Sequence, residues 1–475
     1  MSGSLDEAVI RQLVARYEDY KEPALTRRRF KHHDLVPLLE KLGAHPAVTL
    51  TREGESAEGR GLFRLSIGTG DIPVLMWSQM HGDEATATLA LLDLFRFLTA
   101  DGMGADLSGL QTGILQQITL HAIPMLNPDA AERFQRHTPY GVDMNRDAVQ
   151  RQCPESRLLK RIRDELQAEY GFNLHDQSTR YSVGESPKSA IISFLAPPFD
   201  AQRTIDPKRE RSMQLIAGVN GMLQQVIPGH VAAYSDEFEP RAFGDNMQKW
   251  GTSTVLVESG GKKDDPEKQF IRKINGLILI TSLHLIASET FQKWDVADYE
   301  AIPPNKLRLF DTVFRGASLR YKEEEVRMDI GINRTEINTD DAAGYYIHGI
   351  VAESGDLSTF NGYEEIDAGG LRVVPGEVFP ELFETVEGLQ AADPQKLLQQ
   401  GYTAIRVRHL PEKTHTDLPY NIVSIGGTQP AGTFPDSDAN LLFYRDDHLI
   451  YAVINGFVID ILNGWQWAGN SLVYY

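Results

Sequence analysis

His81 and Glu84 stand three positions apart where a buried-strand pattern, Ile72-Pro73-Val74-Leu75-Met76-Trp77, gives way to an apolar helix pattern running from Ala85 to Leu98. An imidazole and a carboxylate at that spacing, at a strand-to-helix junction, can close on one metal ion. Three further groups follow predicted strands: Asp143-Met144-Asn145-Arg146, His175 after Phe172-Asn173-Leu174, and Glu258 after Val255-Leu256-Val257. Two imidazoles and one carboxylate suit zinc, and a catalytic zinc leaves a fourth position to water. His81, Glu84 and His175 supply that set, so one Zn2+ per chain is expected. The chain has one cysteine, Cys153, which excludes a thiolate-rich site. It lacks the H-E-x-x-H helix motif, so the helical metalloprotease arrangement does not apply.

The remaining groups complement such a centre. A ligating histidine needs a partner on its other ring nitrogen, and Asp143 is the candidate for His81. Glu258 is the candidate base, taking a proton from metal-activated water and passing it to the leaving amine. A cation near the developing oxyanion is expected from Arg136 or Arg133. Arg146, with Asn145 beside it, could hold a substrate carboxylate through a two-point contact. Each residue alone has a plainer reading. His175 could be an ordinary hydrogen-bonded histidine, Glu258 could pair with Lys262 or Lys263, Asn145 and Arg146 could be turn residues, Arg133 and Arg136 solvated helix positions, and Asp143 a turn cap. Jointly they are chemically complementary groups at equivalent strand ends.

The elements that position them are legible in pattern. Strands are expected at 61–66, 72–79, 117–124, 170–175, 190–195 and 253–258, and helices at 84–99, 155–169, 207–226 and 268–289. That alternation predicts an α/β fold with a mostly parallel sheet and helices on both faces, where ligands collect at the carboxyl ends of strands. Upstream, 5–42 reads as helical with a break at Glu22-Pro23, and Asp34 as the cap of a short helix to Leu42. Ile302-Pro303-Pro304 reads as a boundary between a catalytic domain, 1–300, and a β-rich accessory region, 303–475, of one or two small domains. There, short β-type runs are expected at 307–319, 325–332, 345–352, 403–409, 420–425, 440–445 and 449–461, with only 380–400 helical.

The 475 residues carry a net charge of −19, with 41% hydrophobic and 24% charged residues. That disfavours nucleic acid and anionic membrane surfaces as partners. No run of about 18 apolar residues suggests a spanning helix. The N-terminal residues lack a secretory pattern, and with a single cysteine this points to a cytoplasmic setting. Arg27-Arg28-Arg29 with Lys31 reads as a solvated helix approach.

The ordered set H-G-D-E at 81–84, N-P-D at 127–129, G-V-D-M-N-R at 141–146, P-E-S at 154–156, the strand ending in His175 and V-E-S-G-G at 257–261 resembles the zinc carboxypeptidases, the family of the pancreatic enzymes, over roughly residues 30 to 290. The resemblance implies a mixed sheet of about eight strands and a single zinc on His81, Glu84 and His175. It implies Glu258 as base, Asn145 and Arg146 on the substrate's terminal carboxylate, Arg136 on the scissile carbonyl, and Asp143 supporting His81. Ala130 stands where the family has glycine. The family's mobile tyrosine has no clear match, Tyr234 being in an unusual loop. The residues after His175 also differ, so side-chain preference does not carry over.

A zinc-dependent hydrolase cutting an amide bond beside a free carboxylate is therefore expected, acting on a peptide or peptide-like substrate. An N-acyl amino acid deacylase uses the same chemistry and is the alternative. A noncatalytic binding relative is disfavoured by Glu258, which a pure binder does not need. The β-rich region could serve contacts between copies of the chain in a homo-oligomer.

Overall fold

The computed structural model describes residues 6–388, 393–464, 466–467 and 469–475. Two compact units divide the chain, Met1–Leu307 and Arg308–Tyr475.

The first unit carries strands β1 Val48–Glu55, β2 Gly61–Ile67, β3 Ile72–Ser78, β4 Ile118–Ile123, β5 Tyr170–Asp176, β6 Tyr181–Val183, β7 Ile192–Leu195, β8 Val231–Ala233, β9 Ser253–Ser259 and β10 Asn305–Leu307. Its helices are α1 Glu7–Ala15, α2 Tyr17–Tyr20, α3 His32–Gly43, α4 Thr86–Thr99, α5 Ala105–Gln117, α6 Pro128–Glu132, α7 Pro154–Leu166, α8 Pro207–Leu223, α9 Phe243–Lys249, α10 Gln269–Ala287 and α11 Val296–Glu300. Eight strands form one mixed sheet in the order β1-β2-β4-β3-β5-β9-β7-β8, and β6 pairs with β10 apart from it. The central strands β4, β3, β5 and β9 are mutually parallel, while β1, β2 and β7 run antiparallel to neighbours.

The unbroken apolar run of β3 follows from burial on both faces. Val74 and Met76 enter a core shared with α4, α5, α8 and α10. Leu75 and Trp77, one position out of phase, enter a second core with α7 and α9. Side chains alternate across a strand, so one sequence feeds both layers. Helix α10 is long and apolar enough to cross a bilayer, yet it is mostly buried within this unit.

Several expectations are corrected at the N-terminal end. Residues between α2 and α3 are not helical, and α3 begins at His32, so Asp34 is its third residue and not its cap. Its carboxylate accepts the Lys31 N–H at 2.8 Å instead. Only Arg27 of the basic cluster is exposed: Arg28, Arg29 and Lys31 are buried, with Arg28 and Arg29 against the Phe134 ring. An aromatic face and the Glu132 carbonyl, which Lys31 reaches, replace water around these cations.

The second unit holds strands β11 Leu309–Tyr321, β12 Glu324–Asn338, β13 Tyr345–Gly355, β14 Asn361–Asp367, β15 Arg372–Pro375, β16 Glu377–Phe383, β17 Tyr402–Val407, β18 His415–Thr416, β19 Asn421–Val423, β20 Leu441–Arg445, β21 His448–Ile454, β22 Phe457–Asp460 and β23 Ser471–Tyr474, with helix α12 Pro394–Gln399. One sheet runs β13-β12-β11-β15-β20-β21-β22 with β14 also on β11, and a second runs β16-β17-β19-β23-β18. The expected helix over 380–400 shrinks to α12. Its start is set by Asp393, which accepts two backbone N–H groups, and by Pro394 at the first helical position, and β16 occupies 380–383. Residues 389–392 of that expectation lie outside the described ones. The expected run 449–461 is two strands, because Asn455 and Gly456 both adopt positive φ in a tight hairpin turn.

Candidate metal centre

The loop between β3 and α4 must turn sharply to present both His81 and Glu84. Gln79 takes a left-handed φ of 51°. At Gly82 an added Cβ would lie 2.1 Å from the Ala130 carbonyl carbon, so only glycine lets the loop pass α6. Asn127 holds the loop from below: its backbone N–H donates to the Gln79 carbonyl at 3.0 Å and its side chain to the Met80 carbonyl at 3.1 Å. Asp129, 1% exposed, accepts from Ser56 Oγ, the Glu58 N–H and Arg60 Nη1, which pins the β1–β2 turn. The N-P-D motif thus shapes the loop without touching the metal-binding atoms.

His81 and Glu84 meet His175, the sixth residue of β5. His81 Nδ1 lies 2.7 Å from Glu84 Oε1 and His175 Nδ1 lies 2.6 Å from Glu84 Oε2. The two rings are 4.9 Å apart, and one donor atom from each residue falls within 4.8 Å of the others. Among the described residues no other group of three His, Cys, Asp or Glu side chains converges this way. His81 Nε2 faces Asp143 Oδ1 at 3.1 Å. Burial pulls His81 down, but the Glu84 charge and the bonds to Asp143 and Glu84 outweigh it and push it up to about 9. Burial raises Asp143, but His81 and Arg136 more than reverse this and hold it below the usual carboxylate range.

Arg136 reaches the same cluster. Its Nη2 donates to Asp143 Oδ2 at 3.0 Å and its Nη1 to Glu84 Oε1 at 3.2 Å. Arg133 does not; it is held by Glu58 at 2.7 Å. Glu258 stands beside His175 in the β5–β9 ladder and opposite Ser193 on β7. It is buried, its Oε2 has no hydrogen-bond partner, and burial followed by the Glu84 charge holds it well above the usual carboxylate range. Lys262, one of the lysines that could have neutralised it, lies over the Phe270 ring instead.

Asn145 and Arg146 occupy the short 3-10 turn capped by Asp143. Asn145 Oδ1 accepts the Phe243 N–H at 2.9 Å, and Arg146 Nε pairs with Glu239 Oε2 at 3.2 Å. The sequence reading missed Glu239, since no spacing rule links 146 to 239. Tyr234, just beyond β8, packs edge-on to Tyr181 at 6.4 Å. Burial, then the Glu258 charge, raises its proton affinity, which places it in the field of the site.

The donor set fits a divalent cation. A neutral imidazole has one N–H, yet His81 faces a carboxylate oxygen from each ring nitrogen. Asp143 accepts the hydrogen bond of Nε2–H, a tautomer that would leave the Nδ1 lone pair free for a cation held with Glu84 and His175.

Residues 37–184 match the family model of the zinc carboxypeptidases. This segment is zinc carboxypeptidase-like. The matched stretch contains His81, Glu84, Arg136, Asp143, Asn145, Arg146 and His175, and ends before Glu258. Within that segment the chain is similar to the zinc carboxypeptidases, and the His81, Glu84 and His175 cluster lies inside it. No curated protein matches it. Among solved structures it is similar to a metallo-carboxypeptidase from Burkholderia cenocepacia, at 16% identity over 55% of this chain and 70% of that one, TM-score 0.44. It is also similar to a metallo-carboxypeptidase from Pseudomonas aeruginosa in complex with (2-guanidinoethylmercapto)succinic acid, at 14% identity over 55% and 70%, TM-score 0.42. Bovine thrombin-activatable fibrinolysis inhibitor, in complex with tick carboxypeptidase inhibitor, is similar at 12% identity over 58% and 100%, TM-score 0.45.

Proposed function

We propose that this chain hydrolyses an amide bond adjacent to a free carboxylate in a peptide or peptide-like substrate, with one zinc per chain held by His81, Glu84 and His175. The observation that carries the reading is the convergence of those three side chains beside a buried, unpartnered Glu258 oxygen. Bound there, zinc would supply a Lewis acid for the carbonyl and for water. Glu258 Oε2, free of hydrogen bonds, takes the proton of the attacking water and returns it to the leaving nitrogen. Arg136, one edge of which already faces Glu84 Oε1, places a fixed positive charge near the carbonyl oxygen as negative charge grows on it. Asp143 fixes the His81 ring through Nε2. Arg146, 38% exposed in its side chain and in the same turn as Asp143, binds the substrate carboxylate, with Asn145 holding that turn against α9. The single cysteine supports a cytoplasmic setting for this activity.

The test is a panel of N-blocked dipeptides, their C-terminal amides and N-acyl amino acids, offered to zinc-loaded protein. Cleavage of the free acids and not of the amides is expected. Equal cleavage of amides overturns the role of Arg146, turnover of N-acyl amino acids alone makes the chain a deacylase, and no turnover of any member contradicts the proposal.

A further inference from the structure

One residue along β5 from His175, Asp176 meets a buried lysine that the mechanism above does not use. Lys268 is 5% exposed and caps α10 with a left-handed backbone, φ 50°, which is a costly conformation for a residue with a Cβ. That conformation accompanies an inward-pointing side chain. Its Nζ donates to Asp176 Oδ2 at 3.0 Å and to the Ser259 carbonyl at 3.0 Å.

These two acceptors are neighbours in the sheet. His175 pairs with Glu258, and the next rung pairs Asp176 with Ser259. Lys268 therefore clamps the rung directly after the one that carries a metal ligand and the base. Asp176 passes the constraint on. Its Oδ2 accepts from Thr86 Oγ1 at 2.6 Å, at the start of α4, and its backbone N–H donates to Glu84 Oε2 at 3.2 Å. Glu84, Asp176 and Glu258 are three acids in one buried region. Lys268 is the cation facing Asp176, as Arg136 is the cation facing Glu84 and Asp143. Removing it would leave Asp176 as an uncompensated buried charge beside two metal ligands.

We propose that Lys268 is a positioning residue for the metal centre, acting through Asp176 to hold the Glu84 carboxylate and the His175 strand end in the geometry that binds zinc. The inference rests on the zinc reading above. It extends the centre beyond its ligands to a layer of support that spans three elements, β5, β9 and the α4 start.

The experiment measures zinc affinity by competition with a chromogenic chelator, in the full chain, for wild type, Lys268→Met, Asp176→Asn and the double variant. Each single change is expected to weaken zinc by about 10–100-fold. The double variant is expected to be no weaker than the poorer single, because both remove one interaction. Thr86→Val, which deletes one hydroxyl at nearly constant shape, is expected to weaken zinc several-fold and serves where Lys268→Met does not fold. A lowered melting temperature with wild-type zinc affinity in Lys268→Met overturns the proposal, as do losses that multiply in the double variant, and so does unchanged affinity in Thr86→Val. Wild-type protein that takes up no zinc overturns the zinc reading itself together with this inference. Wild-type uptake with indifferent variants overturns this inference alone.

Discussion

The two units bury different kinds of polar group. The first places ionised or ionisable side chains in its interior: Glu84, Asp93, Asp129, Arg209, Glu258, Lys268, Arg272, His81 and His175 are all below a tenth exposed. In the second, the buried polar residues among the described ones are hydroxyls and amides such as Thr312, Thr403, Asn421, Asn440 and Asn455, with Asp438 the single buried acid. Buried charge costs several kcal/mol per ion unless it is paired, whereas a satisfied amide is a modest net contributor. A fold carries the first kind where charge is used or where a cation–anion pair locks one arrangement. The second unit shows the other solution: Asn440 Oδ1 accepts from Asn421 Nδ2 and from the Asn455 N–H, both at 2.8 Å, stitching strands with neutral groups. The proposed chemistry lies in the first unit.

The largest effect that could break this contrast is on turnover. Glu258→Gln keeps the shape of the site and removes the base, so kcat should fall by about 10²–10⁴-fold while zinc content stays unchanged. Full activity in that variant would make the buried acid a structural group like those of the second unit. Next comes stability in the first unit. Arg272 binds Asp93 through two nitrogens at 2.5 and 2.7 Å, with both side chains fully buried. Arg272→Met should lower unfolding stability by about 3–5 kcal/mol in urea titrations, because Asp93 loses its counter-charge. In the second unit, Asn440→Ala should cost about 1–3 kcal/mol by leaving the Asn455 N–H unpaired, with zinc affinity untouched. The smallest effect is a pH slope. His348 Nε2 bonds Asp438 Oδ1 at 2.8 Å, and this bond raises the histidine above its ordinary value. A raised histidine contributes fully below about pH 6.5 and loses its contribution as pH climbs through the raised value. Melting temperature should therefore decline over that window, and His348→Asn should flatten the slope.

The sheet and its site were legible to different degrees. Strand β3 and helix α4 stood out because a two-sided strand and a helix buried on nearly every side leave strong apolar patterns, and the proposed ligands follow from chemistry at their ends. Strand β1 was missed because its Thr51, Arg52, Glu53 and Glu55 look like a polar loop, though an edge strand needs only one covered face. Helices α5 and α9 were missed for a related reason: Gly109 and Gly113 dilute the pattern in α5, and α9 has seven residues. Glu239 and Lys268 were invisible because their contacts, to 146 and 176, cross between loops, and no local spacing encodes a contact made only when the strands align. Arg28 and Arg29 were misread because a compact basic run carries no mark of the Phe134 ring that covers it.

The proposed function requires one zinc on His81, Glu84 and His175. Anomalous diffraction at the zinc edge, from crystals of zinc-loaded protein, tests it most directly. One peak is expected, bonded to His81 Nδ1, a Glu84 oxygen and His175 Nδ1, and lost in crystals of His175→Ala. A peak elsewhere in the chain, or none at these three atoms at full zinc loading, would contradict it.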